Sequence, residues 1–228
     1  MNTQPLKDFI AFVEKEVSPA AEELKKLTSE KERKHLQRLV FTNLVDRFDT
    51  VIDATFIANA SKEPLVSAAL DTLKEPMTEG QTLRLLQQQA TIDALIEERS
   101  REYVRREILR EQHTKKLRKL FGILAPHEKF DNVPRVISAT GKIIQKVTPP
   151  TTSSTPNSIA GYSHWLYVRR NSIVHGVGRT TLTDNDFEQL KKLYNITPAK
   201  GVKVSLGSVG TASVFYQGVV AILAGEAK

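Results

Sequence analysis

Apolar residues recur every three or four positions through most of the chain, which is the period of an amphipathic α-helix. The clearest stripe lies in the segment from about 20 to 60 and predicts a long core-facing helix. Its apolar members are Leu36, Leu39, Val40, Leu44, Val45, Phe48, Val51, Ile52 and Phe56. A shorter amphipathic helix over 4–16 precedes it, and Ser18-Pro19 predicts a break between the two.

The rest of the chain predicts further helices separated by polar or Gly/Pro-rich sequence. Thr78 and Gln81 have the spacing of a capping box, and no Gly or Pro interrupts the chain from 81 to 120. We therefore expect one long helix there. Alternation of polar and apolar residues predicts a short β element near 202–206. The remaining helices are predicted over 64–74, 159–175, 183–194 and 209–224.

Residues 148–158 are rich in Pro, Ser and Thr and carry no large apolar side chain. Such a stretch cannot bury itself, so we expect a mobile loop. The sequence after it is short for an independent fold. Residues 1–228 are therefore predicted to form one all-α domain, with the long 80–120 helix as an insertion.

Composition is that of an ordinary globular protein, with 40% apolar and 26% charged residues among 228. The chain has no cysteine, which excludes disulfides and thiolate metal sites. Its N-terminus lacks the basic start and continuous apolar run of a signal peptide. The apolar runs, such as 219–224, are too short to span a bilayer. The expected location is cytoplasmic, without a membrane partner.

The formal net charge of +7 is consistent with a polyanionic partner such as RNA or DNA. The predicted long helix contributes to it, because 97–119 holds nine Lys or Arg residues and five Glu. One interpretation is a surface that follows phosphates. The other is a solvated helix with weak i,i+4 ion pairs, which the mixed signs favour.

Motifs of most enzyme classes are absent from the sequence. There is no phosphate-binding Gly-rich loop, no His-Glu-x-x-His string and no nucleophile elbow. The five histidines are scattered, at 35, 113, 127, 164 and 175. No metal and no cofactor are therefore expected.

The strongest chemical signal is Arg170-Asn171-Ser172-Ile173-Val174-His175, followed by Gly176. Gly176 suits the left-handed position that ends a helix, which places His175 in a last turn. Asn171 and His175 are four residues apart and share a helix face. Arg170 and His175 are five apart, about 140° around an ideal helix. One straight helix therefore does not direct both side chains at one phosphate.

These residues resemble the signature of the HEPN superfamily, an Arg followed by a polar residue and, a few positions later, a His. The context is also similar to the RiboL-PSP-HEPN and MAE-type groups: an acidic helix start at 184–188, the 201–206 segment and a final apolar helix. The 44–51 stripe resembles the family's first core helix, whose acidic residue would be Asp49, or alternatively Asp46. The similarity covers 36–60 and 160–225.

The resemblance implies a helical bundle that forms a homodimer with its two motifs facing each other. It also implies metal-independent endoribonuclease activity, as in a toxin or defence effector with a neutralising partner protein. His175 would transfer the proton, Arg170 would bind the phosphoryl oxygens, and Asn171 would orient His175 or substrate. Further RNA-binding candidates are Arg105, Arg106, Lys115, Lys116, Arg169 and Arg179.

Two other interpretations stay open. The chain could be a non-catalytic HEPN module that binds nucleic acid or protein, with Arg170 simply paired to Asp46 or Asp49. It could also be a helical interaction protein that carries the string by chance. The aromatic residues Trp165 and Tyr167 fit a dimer contact or ordinary core packing equally well.

Overall fold

The computed structural model describes residues 1–73, 78–127, 130, 136–137, 141–144, 154–156, 158–175, 181–198 and 200–226. The described part is mostly helical, so the prediction of a mainly α protein is confirmed. The helices are α1 (Gln4–Phe12), α2 (Ser18–Lys26), α3 (Glu30–Ala58), α4 (Leu65–Leu70), α5 (Glu79–Leu86), α6 (Gln89–Tyr103), α7 (His113–Leu124), α8 (Ile159–His175), α9 (Asp184–Tyr194) and α10 (Leu206–Leu223). Two-residue strands, β1 (Val136–Ile137) and β2 (Ile143–Ile144), pair antiparallel.

Helix α3 is the centre of the bundle, because α1, α2, α7, α8 and α10 all pack against it. Phe48 on α3 stacks on Tyr216 of α10 with ring centroids 4.1 Å apart, and Phe9 of α1 meets Phe48 edge-on at 5.4 Å. All three rings are fully buried. The first and last helices therefore share one core with α3. The predicted stripe is confirmed except at its start, where Leu36 and Leu39 are exposed and Phe41 is buried instead.

The predicted break at Ser18-Pro19 is wrong, because a π-helical turn, Val13–Val17, joins α1 directly to α2. Pro19 lies just after this turn and has no N–H to give to the backbone hydrogen bonds, yet the chain stays helical through it. The helix predicted from about 20 to 60 is interrupted between Lys26 and Glu30, where Ser29 caps α3 by accepting a hydrogen bond from the backbone N–H of Glu32.

The predicted single helix over 80–120 is also wrong. The chain forms α5, α6, a π-helical turn (Val104–Ile108) and α7 in succession. The Thr78–Gln81 capping box is present, yet α5 buries no side chain. Helix propensity alone does not determine whether a long segment stays one continuous helix, because tertiary packing contributes more. Here α7 packs onto α3 and α8 and begins at His113.

The β element predicted near 202–206 is not formed. An isolated bridge pairs Gly201 with Thr181, and Leu206 already begins α10. Val202 and Val204 are buried, so the alternation reflects packing of an extended segment rather than a strand. Ser205 caps α10 in a capping box with Ser208, and this local signal starts the helix earlier than predicted.

Helix α10 is long and apolar enough, by length and composition, to cross a membrane. Half of its 18 residues are buried inside the structure. A core helix of a globular protein meets the same criteria. The lengths of uninterrupted apolar runs did not indicate a candidate membrane span here, because Gly, Ser and Thr interrupt those runs without adding charge.

The end of the 148–158 stretch is not a free loop. Residues 148–153 and 157 lie outside the described residues, but Pro156 and Ser158 are buried. The Ser158 hydroxyl accepts a hydrogen bond from the backbone N–H of Gly161 at 2.9 Å and so caps α8. The expectation of a loop that packs on nothing is therefore wrong at this end.

Gly161 provides a test of this contact. A methyl group there would lie 2.6 Å from the Pro156 Cβ and 2.9 Å from Tyr194 Cδ1. We expect Gly161→Ala to destabilise the fold by about 1–3 kcal/mol through overpacking. The matched control is Gly210→Ala in α10, where the new methyl meets nothing within 4 Å. That variant should gain about 0.5–1 kcal/mol from helix propensity. Urea unfolding of both variants measures the difference, and equal stabilities would contradict it.

Candidate functional site

Helix α8 carries the motif and leaves the core at its C-terminal end. Residues from Ile159 to Ser172 are mostly buried, whereas Val174 is 46% exposed and His175 is also exposed. His175 is the last described residue of α8. The expected cap Gly176 lies outside the described residues.

Arg170 is held on the side of α8 that faces α3. Its Nε lies 2.5 Å from Asp46 Oδ1, and its Nη1 donates to Asn171 Oδ1 at 2.9 Å. The interpretation in which Arg170 pairs with Asp46 therefore agrees with the structure. The Arg170 side chain is 21% exposed and the Asp46 side chain 43%, so the pair lies at the edge of the core.

His175 points elsewhere, because five helical positions separate it from Arg170 by about 140°. Asn171 is only about 40° away from His175 and about 6 Å along the axis. Within one chain the motif therefore groups His175 with Asn171, not with Arg170. No hydrogen bond or ion pair joins His175 to another described residue.

Asp49 lies in a different cluster, one turn along α3 from Asp46. Its Oδ1 is 2.8 Å from His113 Nδ1 and 3.1 Å from Lys116 Nζ, both on α7. Lys116 Nζ also contacts Asp53 Oδ1 at 2.6 Å. The other ring nitrogen of His113, Nε2, is 2.9 Å from Ser163 Oγ on α8. This network of Asp49, Asp53, His113, Lys116 and Ser163 joins α3, α7 and α8, with its two carboxylates partly exposed.

The protonation states follow from these contacts. Burial raises the pKa of Asp49, but hydrogen bonds and positive charge from His113 and Lys116 outweigh it, and the pKa stays below its ordinary value. An ionised carboxylate only accepts, so His113 Nδ1 carries a hydrogen. For Asp53, burial outweighs Lys116 and raises the pKa. Burial lowers the pKa of Lys116, but the two carboxylates reverse this and raise it.

A cavity of about 430 Å³ opens beside this network, between α3, α7, α8 and α9. Tyr167 lines it and stacks on His113, with ring centroids 4.8 Å apart and planes 3° from parallel. Asn171 and His164 line the same cavity from α8, and Asp186 and Gln189 line it from α9. The size falls within the usual range of small-molecule sites. Asn171 connects the cavity to the motif.

Two of the predicted RNA-binding residues are buried, and that prediction is corrected for them. Lys116 is occupied by Asp49 and Asp53. Arg169 is buried, donates from Nη2 to the Lys203 carbonyl at 2.6 Å, and lies 4.3 Å over the Trp165 ring. Burial also lowers the pKa of Arg169. Both cations serve the core rather than a phosphate surface.

The other basic candidates lie on the surface. Arg105 and Lys115 are exposed, and Arg106 is exposed but paired with Glu102 at 2.9 Å. Glu97 and Arg101, four positions apart, also form an ion pair, which agrees with the interpretation of a helix with surface i,i+4 ion pairs. Arg179 lies outside the described residues. Trp165 packs in the core.

Sequence reasoning missed His113, Ser163, Asp53 and Asp186, which line the cavity or complete the network. A partial signal existed, because Asp49 and Asp53 are four apart on α3 while His113 and Lys116 are three apart on α7. The first spacing puts two acidic groups on one face of α3, and the second puts two basic groups on one face of α7. Nothing in the sequence joins the two helices, since His113 and Asp49 are 64 positions apart.

No protein-family model, curated protein or solved structure matches the chain. Within the described ranges, no group of three or more His, Asp or Glu side chains could hold a metal ion. The description of the α8 motif and the adjacent cavity therefore depends on the contacts and distances given above.

Proposed function

We propose that the protein is an endoribonuclease of the HEPN type, acting on RNA without a metal ion. The observation that carries the proposal is the exposed end of α8. It presents His175 to solvent one turn beyond Asn171, while Asp46 fixes Arg170 at the same end of the helix.

The chemistry assigns one role to each group. The RNA 2′-hydroxyl attacks the adjacent phosphorus and loses its proton, and the 5′-oxygen leaves and gains one. The imidazole of His175 accepts or donates a proton near neutral pH. The guanidinium of Arg170 stabilises negative charge on the phosphoryl oxygens. Asn171 orients His175 or the substrate and transfers no proton.

A homodimer belongs to the proposal for a geometric reason. Arg170 and His175 of one chain point about 140° apart, whereas a phosphate needs both groups within hydrogen-bonding distance. Two-fold pairing of α8 ends would bring Arg170 of one protomer to His175 of its partner. A cytoplasmic location and a neutralising partner protein stay expectations of the same proposal.

The Arg170–Asp46 ion pair favours a second candidate function. If this pair persists in the presence of RNA, Arg170 is structural and the protein is a non-catalytic module that binds RNA or protein. Binding without cleavage would then be the observed behaviour.

The test compares matched RNA and DNA substrates. Wild-type protein should cut single-stranded RNA in the presence of EDTA and leave 2′,3′-cyclic phosphate ends. A 2′-deoxy residue at the cleaved position should block the cut there, because the nucleophile is missing. Denaturing gels and mass spectrometry of the ends give the readout. Loss of cleavage with EDTA, or 5′-phosphate products, would refute the mechanism. Binding without any cut would support the second candidate.

A further inference from the structure

The cavity beside α8 has the dimensions of a ligand site and a lining of mixed chemistry. Its volume of about 430 Å³ exceeds that of one planar heterocycle. The walls combine carboxylates, side-chain amides and an aromatic ring. Such a combination is typical of pockets that recognise a flat polar ligand by its edge and its face.

The carboxylates supply hydrogen-bond acceptors from two sides. Among the described residues, Asp53 on α3 accepts a hydrogen bond from Lys116 on Oδ1 only, and Asp186 on α9 accepts one from the Thr183 hydroxyl on Oδ2 only. A carboxylate has two oxygens and about four acceptor positions. Each group therefore retains capacity for a pair of N–H donors from a ligand.

Tyr167 supplies the flat surface. The ring is parallel to His113, and His113 is itself fixed by Asp49 and Ser163 on its two nitrogens. Tyr167 is thus held in one orientation while staying half-buried on the cavity wall. A preordered aromatic ring favours stacking, because little side-chain entropy is lost on binding.

Charge decides which part of a nucleotide enters. Four carboxylates line the cavity, whereas Lys116 is the lysine among the described lining residues. The carboxylates belong to Asp49, Asp53, Glu111 and Asp186. Negative walls repel a phosphate and admit a neutral base. Asn171 lies on the same wall, and His175 follows about 6 Å along α8. A base in the cavity would leave its phosphate near the end of α8.

We infer that this cavity binds an unpaired guanine base of an RNA substrate. Guanine carries N1–H and N2–H side by side, which match the two oxygens of one carboxylate, and its O6 accepts from an amide such as Gln189 or Asn171. Uracil has no exocyclic amine. Adenine and cytosine have no ring N–H next to theirs. The inference rests on the proposed ribonuclease function and adds guanine as the base that determines where RNA is cut.

The experiment separates base binding from cleavage. Guanosine, adenosine, cytidine and uridine are titrated into the His175→Ala protein, and binding is followed by calorimetry and by protein NMR shifts. Guanosine should bind at least about ten-fold more tightly than the others. Asp186→Asn should weaken guanosine about ten-fold or more, because the amide replaces an acceptor by a donor. Asp184→Asn is the control, since that side chain is 97% exposed on the same helix turn.

A second variant guards against loss of folding. Asp186 would hold the N1–H and N2–H pair, whereas Asp53 on the opposite wall would accept the second N2–H of guanine. Asp53→Asn should therefore lower guanosine affinity less than Asp186→Asn does, with unchanged circular dichroism. Equal binding of the four nucleosides, no binding, or an effect of Asp184→Asn as large as that of Asp186→Asn would overturn the inference. Preferential binding of spermidine would overturn it too and indicate a site for organic cations. Guanosine binding by a protein that cuts no RNA would leave the inference standing and refute the proposed nuclease.

Discussion

Lys116→Met should destabilise the protein by about 3 kcal/mol, the largest stability effect we expect of a single charge change. Its ammonium group neutralises Asp49 and Asp53, and its side chain is only 5% exposed. Without it, two neighbouring carboxylates face each other across one turn of α3 beside a cavity. The Met side chain keeps most of the apolar packing of the lysine, so the decrease in stability measures the effect of removing the positive charge.

Thermal and urea unfolding measure the effect. For a chain of this size about 3 kcal/mol corresponds to a fall of roughly 6–12 °C in Tm. Lys115→Met is the control, because Lys115 precedes Lys116 on α7 and is exposed. It should change Tm little. An unchanged or higher Tm for Lys116→Met would show that burying the ion pair costs as much as it contributes.

The two carboxylates should then differ in pH dependence. The pKa of Asp49 lies below its ordinary value in the fold, so Asp49 contributes stability above its unfolded pKa and loses it as the pH falls through the folded value. The raised pKa of Asp53 has the opposite sign: its contribution is present at low pH and declines as the pH rises. Asp49→Asn should therefore cost more at neutral pH than Asp53→Asn.

His175→Ala should lower the rate of RNA cleavage by about 10²–10⁴-fold, the usual contribution of a positioned acid or base. The side chain is exposed at the end of α8, so folding should not change. Val174→Ala, at the exposed neighbouring position, is the matched control and should retain activity. A His175→Ala protein that cuts at the wild-type rate would remove this residue from the mechanism.

Mixing two inactive proteins tests whether the site is shared between protomers. His175→Ala retains Arg170, and Arg170→Ala retains His175. If one site uses Arg170 from one chain and His175 from the other, each heterodimer contains one intact site. Random mixing should then restore about a quarter of the wild-type activity. No recovery after confirmed subunit exchange would show that the two residues act within one chain, or not at all.

The sequence predicted those parts of the fold that depend on local chemistry. The start of α8 followed from its apolar residues, α9 begins within one residue of its predicted start, and the Thr78–Gln81 capping box is present as predicted. These signals involve residues within one turn of each other, so a single sequence contains them. The continuous 80–120 helix failed because propensity says nothing about where packing interrupts a helix.

The candidate site was only partly accessible to the same reasoning. Arg170, Asn171 and His175 lie five positions apart at most, and their directions follow from helix geometry alone. For Arg170 the sequence left Asp46 and Asp49 as alternative partners, and the actual partners of Asp49 did not follow, because each pairing depends on which helix packs against α3. Lys116 looked like a surface cation by composition and is a buried counter-ion in the structure. The cavity and its network exist only because α3, α7, α8 and α9 meet, and contacts across 64 residues leave no local pattern in the chain.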